Sequence, residues 1–302
     1  MSRQASVRSP SSVGLIGLGV MGRPMARRLL AAGYHLVVHN RSSPSVKELQ
    51  AAGATAAGCP AEVAARVDCV MTVLPDPLAV AEVVLGRDGV RAGARQGQLF
   101  IDLSTSPPAL ARKIHSELAA LDVAALDAPV SGGETGAREG TLTIMVGGDA
   151  HAARMGNPIL RVLGRRVTHV GPPGAGQVAK AANQVIVGLT IQAVAEALAL
   201  VQAAGVSPGL VRSALRGGFA DSRVLREHGK RMVDGDFTPG AALRLHLKDL
   251  RIALGLAKEA EIELRATAAL AEQMERLIAN GYAEQDHAVL IAGYPPLAGA
   301  SP

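Results

Sequence analysis

The sequence predicts an α/β fold in which a doubly wound, mainly parallel sheet is followed by an all-α C-terminal domain, joined to it by a long helix. Three observations support this. Up to Val170, short apolar and β-branched runs alternate with Ala-, Leu- and Arg-rich stretches of helical spacing, which is typical of βαβ units. A glycine-rich turn follows the first of these runs, and the strand signal ends after Val170.

The predicted strands are continuous apolar runs, as expected where helices cover both faces of a parallel sheet. Stretches such as Met21–Ala32 and Pro107–Leu121 have helical spacing and separate them. The strands are predicted at Val13–Gly17, His35–His39, Asp68–Leu74, Leu99–Leu103, Ala124–Ala128, Leu142–Val146 and Arg166–Val170.

The pattern changes at a Gly- and Pro-rich turn over Gly171–Gly176. The following run, Val178–Ala204, holds little besides Ala, Val, Leu and Ile. A helix that is apolar all round is expected to be buried on several sides, and its glutamines and one glutamate make it too polar for a membrane span. We therefore predict a first domain over 12–172, a helical domain over 173–292, and flexible tails at 1–11 and 293–302.

Composition excludes several classes of protein. Apolar residues make up 48% of the chain, which excludes general disorder. Aromatic residues make up only 2%, so the basic, aromatic-interleaved surface of a nucleic-acid-binding protein is not expected. The two cysteines lack metal-ligand spacing and fit reduced thiols. We expect a cytoplasmic protein with no metal, nucleic-acid or membrane partner.

The glycine turn predicts a ligand. Gly17, Gly19 and Gly22 form G-x-G-x-x-G between a strand and a helix. The first glycine permits a tight turn, the second lets a pyrophosphate approach the backbone, and the third lets helix and strand pack closely. Phosphate then binds the free N–H groups of the helix N-terminus, which predicts a Rossmann-type dinucleotide site rather than a structural turn. Its predicted cofactor-binding residues are Gly17, Leu18, Gly19, Val20, Met21 and Gly22.

The end of the second predicted strand indicates which dinucleotide binds. NAD sites place Asp or Glu there to hold the ribose hydroxyls. In this chain the strand runs into Asn40, Arg41 and Ser42, and no acidic residue occurs between Met1 and Lys47. Arginine pairs well with phosphate, so we predict NADP, with NAD as the alternative. The competing interpretation of Arg41 is a solvated loop charge.

Three further segments end predicted strands. They are Leu74–Pro77, Asp102–Pro107 and Asp127–Gly133. In such sheets ligands bind outside the carboxyl ends of the strands, and successive exposed N–H groups in the third segment would bind an anion. Each segment taken alone is equally well explained as a plain turn.

The start of the long helix carries a polar cluster. Lys180, Asn183 and Gln184 are spaced i, i+3 and i+4, which places them on one helical face. Burying a lysine with two amides is costly unless they have a function. A lysine can protonate a carbonyl oxygen that takes up hydride. The alternative is a structural lysine that reaches solvent past the helix end.

These segments, in this order, resemble the β-hydroxyacid dehydrogenases over about residues 13–290. The resemblance rests on the glycine turn and on DLSTSP, DAPVSGGETGAREGTL, GAGQVAKAANQ and LHLKDL. Within that family, Arg216–Ser222, Leu245–Asp249 and Asp286-His287 are most similar to the tartronate semialdehyde reductases. The resemblance implies an NADPH-dependent enzyme that interconverts a small carboxylate-bearing semialdehyde and its hydroxyacid, and a homodimer or homotetramer formed through the helical domain.

The resemblance also implies roles for matching positions. Lys180 would be the catalytic acid and base, Asn183 or Gln184 would orient the substrate, and Lys248 would close over the cofactor. One departure is Ala79, where family members often carry Asn, and it puts one cofactor contact in doubt. The other implied contacts are Ser131, Gly132 and Gly133 for the substrate carboxylate, and Leu74, Pro75 and Thr105 for the nicotinamide half of the cofactor.

The preferred reaction is tartronate semialdehyde to D-glycerate. The alternatives are a 3-hydroxyisobutyrate dehydrogenase, a succinic semialdehyde or glyoxylate reductase, an imine reductase, and a non-catalytic nucleotide-binding protein. Imine reductases of this architecture usually lack the lysine found at position 180, and a non-catalytic protein would not need Lys180, Ser131 and Lys248 together. Among the histidines we single out only His246, which lies near Lys248, and Asp249 is either a structural ion-pair partner of Lys248 or a catalytic group.

Overall fold

The computed structural model describes residues 10–296, and the chain divides into two compact units, one up to Lys180 and one from Ala181 onwards. Residues 1–9 and 297–302 of the predicted tails lie outside the described residues. The described parts of those tails are held in the fold. The Ser11 hydroxyl donates to Asp68 at 2.9 Å, and the Tyr294 hydroxyl accepts from Gln192 at 2.6 Å.

The first unit contains one nine-stranded sheet. Seven strands match the predicted ones within a few residues, and two strands of two residues were not predicted. The strands are β1 Ser12–Ile16, β2 His35–His39, β3 Thr55–Ala56, β4 Cys69–Thr72, β5 Leu99–Asp102, β6 Ala124–Asp127, β7 Val130–Ser131, β8 Leu142–Gly148 and β9 Gly164–Gly171.

The strand order is β3-β2-β1-β4-β5-β6-β8-β7, with β9 paired to β8. Only the pairings of β8 with β6 and β7 are antiparallel, so the sheet is mainly parallel, as predicted. Ile16 is in register with both His39 and Thr72, and Asp102 is in register with Thr72 and Asp127. The carboxyl ends of five strands therefore lie along one rim, which brings the predicted motifs to the same edge.

Helices connect these strands and cover the sheet. Their buried faces are aliphatic, for example Met25 and Leu29 on the first helix and Ile114 and Leu118 on the sixth. The helices of the first unit are α1 Gly22–Ala31, α2 Ser43–Ala51, α3 Pro60–Arg66, α4 Pro77–Leu85, α5 Val90–Gly93, α6 Pro108–Ala119, α7 Gly133–Glu139 and α8 Ala150–Leu163.

The second unit is helical around its own core, which includes Ile191, Leu250 and Met274. A single bridge between Ala242 and Asp286 is its only β-type pairing among the described residues. After the long helix α9, Ala175–Ala203, its elements are α10 Pro208–Ala214, α11 Arg223–Asp234, α12 Leu243–Glu259, α13 Arg265–Leu277, an irregular helical turn Ile278–Tyr282 and a 3₁₀ helix His287–Gly293.

Helix α9 differs from the prediction in two respects. We expected burial on several sides, whereas Val178, Ile186 and Leu200 on one face are 42%, 66% and 71% exposed. By length and composition alone it is also apolar enough to cross a membrane, with a mean hydropathy of 1.8 over a window that is 28% buried. The few polar residues do not lower the mean enough to exclude a span on composition, so that part of the sequence argument was wrong.

Candidate active site

The three glycines of the first turn each meet a different steric demand. Gly17 has a φ of +97°, and a Cβ on it would lie 2.2 Å from the Val73 carbonyl oxygen. A Cβ on Gly22 would lie 1.9 Å from the Gly17 oxygen, so α1 packs directly against the turn. A Cβ on Gly19 would meet no described atom within 4 Å. The middle glycine therefore leaves its backbone open, which fits the close approach of a pyrophosphate.

The end of β2 supports this turn. The Leu18 N–H donates to Asn40 Oδ1 at 3.1 Å, and Asn40 Nδ2 donates to the Ser42 hydroxyl at 2.8 Å. Arg41, between them, is exposed. Elsewhere on this surface Arg23 and Arg27 pair with Glu48, whereas no ion pair involves Arg41 among residues 10–296. Asn40 thus shapes the turn, and Arg41 is available for a ligand phosphate.

The segment after β4 is fixed from both sides. The Leu74 N–H donates to the Ser104 hydroxyl at 2.9 Å. Asp76 caps α4 by accepting the Ala79 N–H at 2.8 Å. Ala79, which stands where family members often carry Asn, therefore contributes its backbone N–H to the helix cap. Pro75 is exposed between these two anchors.

The DLSTSP segment after β5 is held by buried polar groups. Asp102 Oδ1 accepts the Thr72 hydroxyl at 2.8 Å and the Ser104 N–H at 3.0 Å. Thr105 is only partly buried, whereas Ser104 and Ser106 on either side of it are fully buried. The segment therefore presents Thr105 at the rim on a fixed backbone.

Gln177, in the first turns of α9, braces this same segment. Its Nε2 donates to the Ser104 carbonyl oxygen at 2.9 Å, and its Oε1 accepts the Ser106 N–H at 3.0 Å. The side chain is 1% exposed, so leaving either backbone group unpaired would be costly. The brace ties Thr105 to the helix that carries Lys180.

Asp127, at the end of β6, anchors the start of α9. Its carboxylate accepts the N–H groups of Gly174 at 2.8 Å and Gln177 at 2.9 Å. A Cβ on Gly147 would lie 2.5 Å from Asp127 Oδ1, so this glycine makes the room. Burial raises the pKa of Asp127, the two N–H donors oppose that rise, and the charge of Asp102 adds to it. This anchor explains why α9 begins at residue 175 rather than at the predicted 178.

Lys180 lies one turn further along α9. It is 7% exposed, and its Nζ donates to the Val130 carbonyl oxygen at 2.9 Å. The next residue in the chain, Ser131, is partly buried, and Gly132 and Gly133 follow with φ values of +137° and +64°. The predicted acid and the predicted carboxylate loop are therefore adjacent in space.

The remaining predicted residues lie in the second unit and form a chain of contacts. Asn183 Nδ2 donates to Gln184 Oε1 at 2.8 Å, and Gln184 Nε2 donates to Asp249 Oδ2 at 2.6 Å. Asp249 Oδ1 is 3.1 Å from Lys248 Nζ. Asp249 is thus an ion-pair partner of Lys248 that also holds Gln184.

Two family models together cover almost all of the described chain. The NAD-binding domain of 6-phosphogluconate dehydrogenase matches residues 12–171, and the NAD-binding domain of NADP-dependent 3-hydroxyisobutyrate dehydrogenase matches residues 174–294. The chain belongs to the β-hydroxyacid dehydrogenase family. As predicted, this dehydrogenase is an oxidoreductase that uses a nicotinamide dinucleotide.

The dehydrogenase is similar to several known proteins over nearly its full length. It is 42% identical to the 2-hydroxy-3-oxopropionate reductase of Escherichia coli over 92% of this chain and 95% of that one. It is 37% identical to an NAD-dependent L-serine dehydrogenase of Pseudomonas aeruginosa over 95% and 99% of the two chains. The crystal structure of a 3-hydroxyisobutyrate dehydrogenase from Salmonella typhimurium matches with a TM-score of 0.85 at 31% identity, over 93% and 99%.

Sequence reasoning missed two residues of the dehydrogenase that hold this region together. Asp127 was noted only as the start of a glycine-rich segment, and Gln177 only as part of the helix motif. A carboxylate at a strand end followed much later by Gly-x-Gly before a helix was the available signal. That signal cannot identify the pair, because 47 residues separate Asp127 from Gly174.

Proposed function

We propose that the dehydrogenase uses NADPH to reduce a small aldehyde that also bears a carboxylate, and that tartronate semialdehyde, reduced to D-glycerate, is its preferred substrate. The observation that carries this proposal is the position of Lys180. Its ammonium is hydrogen-bonded to Val130, directly before the Ser131–Gly133 loop. A proton donor and an anion-binding loop side by side suit a substrate with an aldehyde next to a carboxylate. The 42% identity to the E. coli reductase supports the same choice.

The cofactor is bound by the first unit. The backbone N–H groups of residues 17–22 hold the pyrophosphate, since Gly19 leaves the backbone open and the N-terminus of α1 favours anions. Leu74, Pro75 and Thr105 contact the nicotinamide half from two segments of fixed backbone. When bound, the reduced nicotinamide supplies hydride to the aldehyde carbon.

Lys180 supplies the matching proton. As the carbonyl oxygen gains negative charge, an N–H bond of the Lys180 ammonium breaks and an O–H bond forms on that oxygen. The product is the alcohol, and the lysine is left as a neutral amine that takes up a proton from solvent. The bond to the Val130 carbonyl holds Nζ in place during this transfer, and positioning of this kind contributes strongly to rate.

The loop after β7 binds the substrate carboxylate. The Ser131 hydroxyl and the N–H groups of Gly132 and Gly133 are the donors, and the two positive φ values orient successive N–H groups as an anion-binding nest does. From the second unit, we assign substrate orientation to Asn183 and Gln184 and cofactor binding to Lys248.

Arg41 determines the preference for NADPH in this proposal. Its exposed guanidinium follows β2, where a carboxylate would hold the ribose of NAD. Arginine pairs with the extra phosphate of NADP by paired, charge-assisted hydrogen bonds. Ser42 adds a hydroxyl, and Asn40 fixes the local backbone.

We also propose that the dehydrogenase is a cytoplasmic homodimer or homotetramer. The exposed apolar side chains of α9, which are Val178, Ile186 and Leu200, form a stripe of the kind that subunit contacts cover. Both cysteines are free thiols, which fits a reducing compartment. Sedimentation of the purified chain tests the assembly, and a monomer at micromolar concentration would contradict it.

A substrate panel tests the proposed reaction. NADPH oxidation is measured with tartronate semialdehyde, methylmalonate semialdehyde, succinic semialdehyde and glyoxylate, and each is repeated with NADH. Because of the P. aeruginosa relative, L-serine with NAD⁺ is assayed in the oxidative direction. We expect the highest kcat/KM for tartronate semialdehyde with NADPH. No NADPH oxidation with any of the four acids, or faster turnover of L-serine with NAD⁺, would refute the proposal.

A further inference from the structure

A buried histidine pair in the second unit has no part in the chemistry described above. His246 on α12 and His287 at the start of the 3₁₀ helix are 2% and 7% exposed. Their Nδ1 atoms lie 2.7 Å apart, and His246 Nε2 lies 3.1 Å from the backbone carbonyl oxygen of Gln184. The pair therefore contacts Gln184, which we assign to substrate orientation.

The contacts determine where the protons of a neutral pair lie. A carbonyl oxygen only accepts hydrogen bonds, so His246 Nε2 carries the proton that it donates to Gln184. His246 Nδ1 is then the acceptor, and His287 Nδ1 is the donor across the 2.7 Å contact. His287 thus holds His246 in the one neutral tautomer that can bind Gln184.

The surrounding residues fit the ring closely to α9. A Cβ on Gly188 would lie 3.1 Å from His246 Nε2, so this glycine lets the imidazole rest on the helix backbone. Asp249, three residues after His246 on α12, binds the side chain of the same glutamine. Gln184 is therefore held through its backbone by one residue of α12 and through its amide by another.

Burial and the cationic groups around it keep His287 neutral. Burial lowers the pKa of His287 well below its ordinary value, and His246, His228 and Arg231 lower it further against the opposing charge of Asp286.

The Asp286 carboxylate is itself occupied by the protein. It accepts N–H groups from Gly240, Ala241 and Ala288 and lies 3.2 Å from Arg231. Donor atoms of His228, Asp286 and His287 lie within 4.8 Å of one another, a spacing that could hold a metal ion. Because both Asp286 oxygens already accept hydrogen bonds from the backbone, we do not propose a metal site there.

We infer that His246, held in one tautomer by His287, is a positioning residue that fixes Gln184 and Asn183 for the substrate, and that a proton added at His246 Nδ1 releases them. That proton would face the N–H of His287 across the 2.7 Å Nδ1–Nδ1 contact, and the rings would separate. Acid should therefore weaken substrate binding without weakening cofactor binding. This inference rests on the proposed function of Gln184.

Two substitutions at one position test the inference. His246→Leu removes the donor, and His246→Gln offers an amide donor that does not titrate. We expect His246→Leu to raise the KM for the semialdehyde about tenfold, the value of one hydrogen bond, while kcat changes less than about threefold. His246→Gln should keep the KM near the wild-type value at pH 7.5 and abolish its rise between pH 7 and pH 5. The Kd for NADPH should be unchanged in both variants.

The control is His35→Gln, which replaces an exposed histidine on β2. A folded His246→Leu variant whose KM is within about twofold of the wild type would overturn the inference. So would an acid rise in KM that persists in His246→Gln.

An NMR spectrum separates this inference from the proposed function. In the wild type, ¹⁵N–¹H correlations should show His246 protonated at Nε2 and His287 at Nδ1. The Gln184 amide signals should shift when His246 takes up a proton at Nδ1. If none of the four acids is turned over, the proposed function fails while this spectrum still decides the role of the pair. His246 protonated at Nδ1 alone, or Gln184 signals that ignore acid, would overturn the inference whatever the substrate.

Discussion

Two buried aspartates, one in each unit, do similar work in opposite electrostatic settings. Asp127 accepts two backbone N–H groups at the start of α9, and Asp286 accepts three where loops meet α11. Burial raises the pKa of Asp127 and the nearby charge of Asp102 adds to it. Burial would also raise the pKa of Asp286, but His228, His287 and its backbone donors hold it well below the ordinary value.

The opposite pKa shifts of Asp127 and Asp286 reflect the different roles of the two carboxylates. Asp286, with Arg231 at 3.2 Å, belongs to a cluster whose charges are compensated within the protein. Asp127 stabilises the start of the helix that carries Lys180, the proposed proton donor. The first unit thus carries the proposed proton donor, and the second unit carries the proposed substrate-orienting amides.

The largest expected effect separates chemistry from alignment. Lys180→Ala removes the proposed acid, so kcat should fall about 10²- to 10⁴-fold. The Kd for NADPH should change little, because the glycine turn is untouched. The matched comparison is His246→Leu, which should act on KM instead. Steady-state kinetics with fluorescence-based cofactor binding measure both, and a Lys180→Ala enzyme with near-normal kcat would remove this lysine as the acid.

The two aspartates should differ in their contributions to stability. Asp286→Asn removes the buried carboxylate that pairs with Arg231 and leaves Asp236, at 3.5 Å, as the partner of that charge, which should cost about 3 kcal/mol of unfolding free energy. Asp127→Asn removes a charge that burial already disfavours and keeps one acceptor, so its cost should be about 1 kcal/mol. Urea unfolding of the two variants measures the difference. Equal losses would mean that the electrostatic contrast between the units does not matter for stability.

The preference for NADPH over NADH tests the proposed role of Arg41, an exposed cation of the first unit. Arg41→Ala should lower kcat/KM for NADPH about tenfold or more and leave that for NADH nearly unchanged, because only NADP carries the extra phosphate. Arg27→Ala is the control, since Arg27 is exposed but pairs with Glu48. An equal loss of kcat/KM with both cofactors would show that Arg41 does not bind the extra phosphate of NADP.

The smallest expected effect is a pH dependence of stability from the second unit. Since the pKa of His287 is lowered in the folded protein, the unfolded chain binds more protons just below pH 6.5, and stability falls as pH falls. Asp127 has the opposite sign, because its raised pKa makes stability fall as pH rises above 3.8. His287→Asn keeps a donor to His246 and does not titrate. Its stability loss between pH 7 and pH 5 should be about 1 kcal/mol smaller than that of the wild type, and an unchanged loss would refute this assignment.

The sequence predicted the sheet and the rim because continuous apolar strands and the G-x-G-x-x-G turn are local signals. The strands Thr55–Ala56 and Val130–Ser131 were missed because two residues carry no periodicity. The roles of Asp127 and Gln177 were missed because they depend on contacts between distant segments. The face of α9 that stays exposed was not predicted, because an apolar helix does not reveal which of its faces has a neighbour.

The central claim, that an ammonium at position 180 delivers the proton, has one direct test. Lys180→Cys is made and then alkylated with 2-bromoethylamine, which rebuilds an ammonium of nearly the original reach. Wild-type enzyme treated in the same way controls for modification of Cys59. We predict that the single-turnover rate of NADPH oxidation, lost in the cysteine variant, returns in large part after alkylation. Complete alkylation by mass spectrometry with no recovery of the rate would contradict the account.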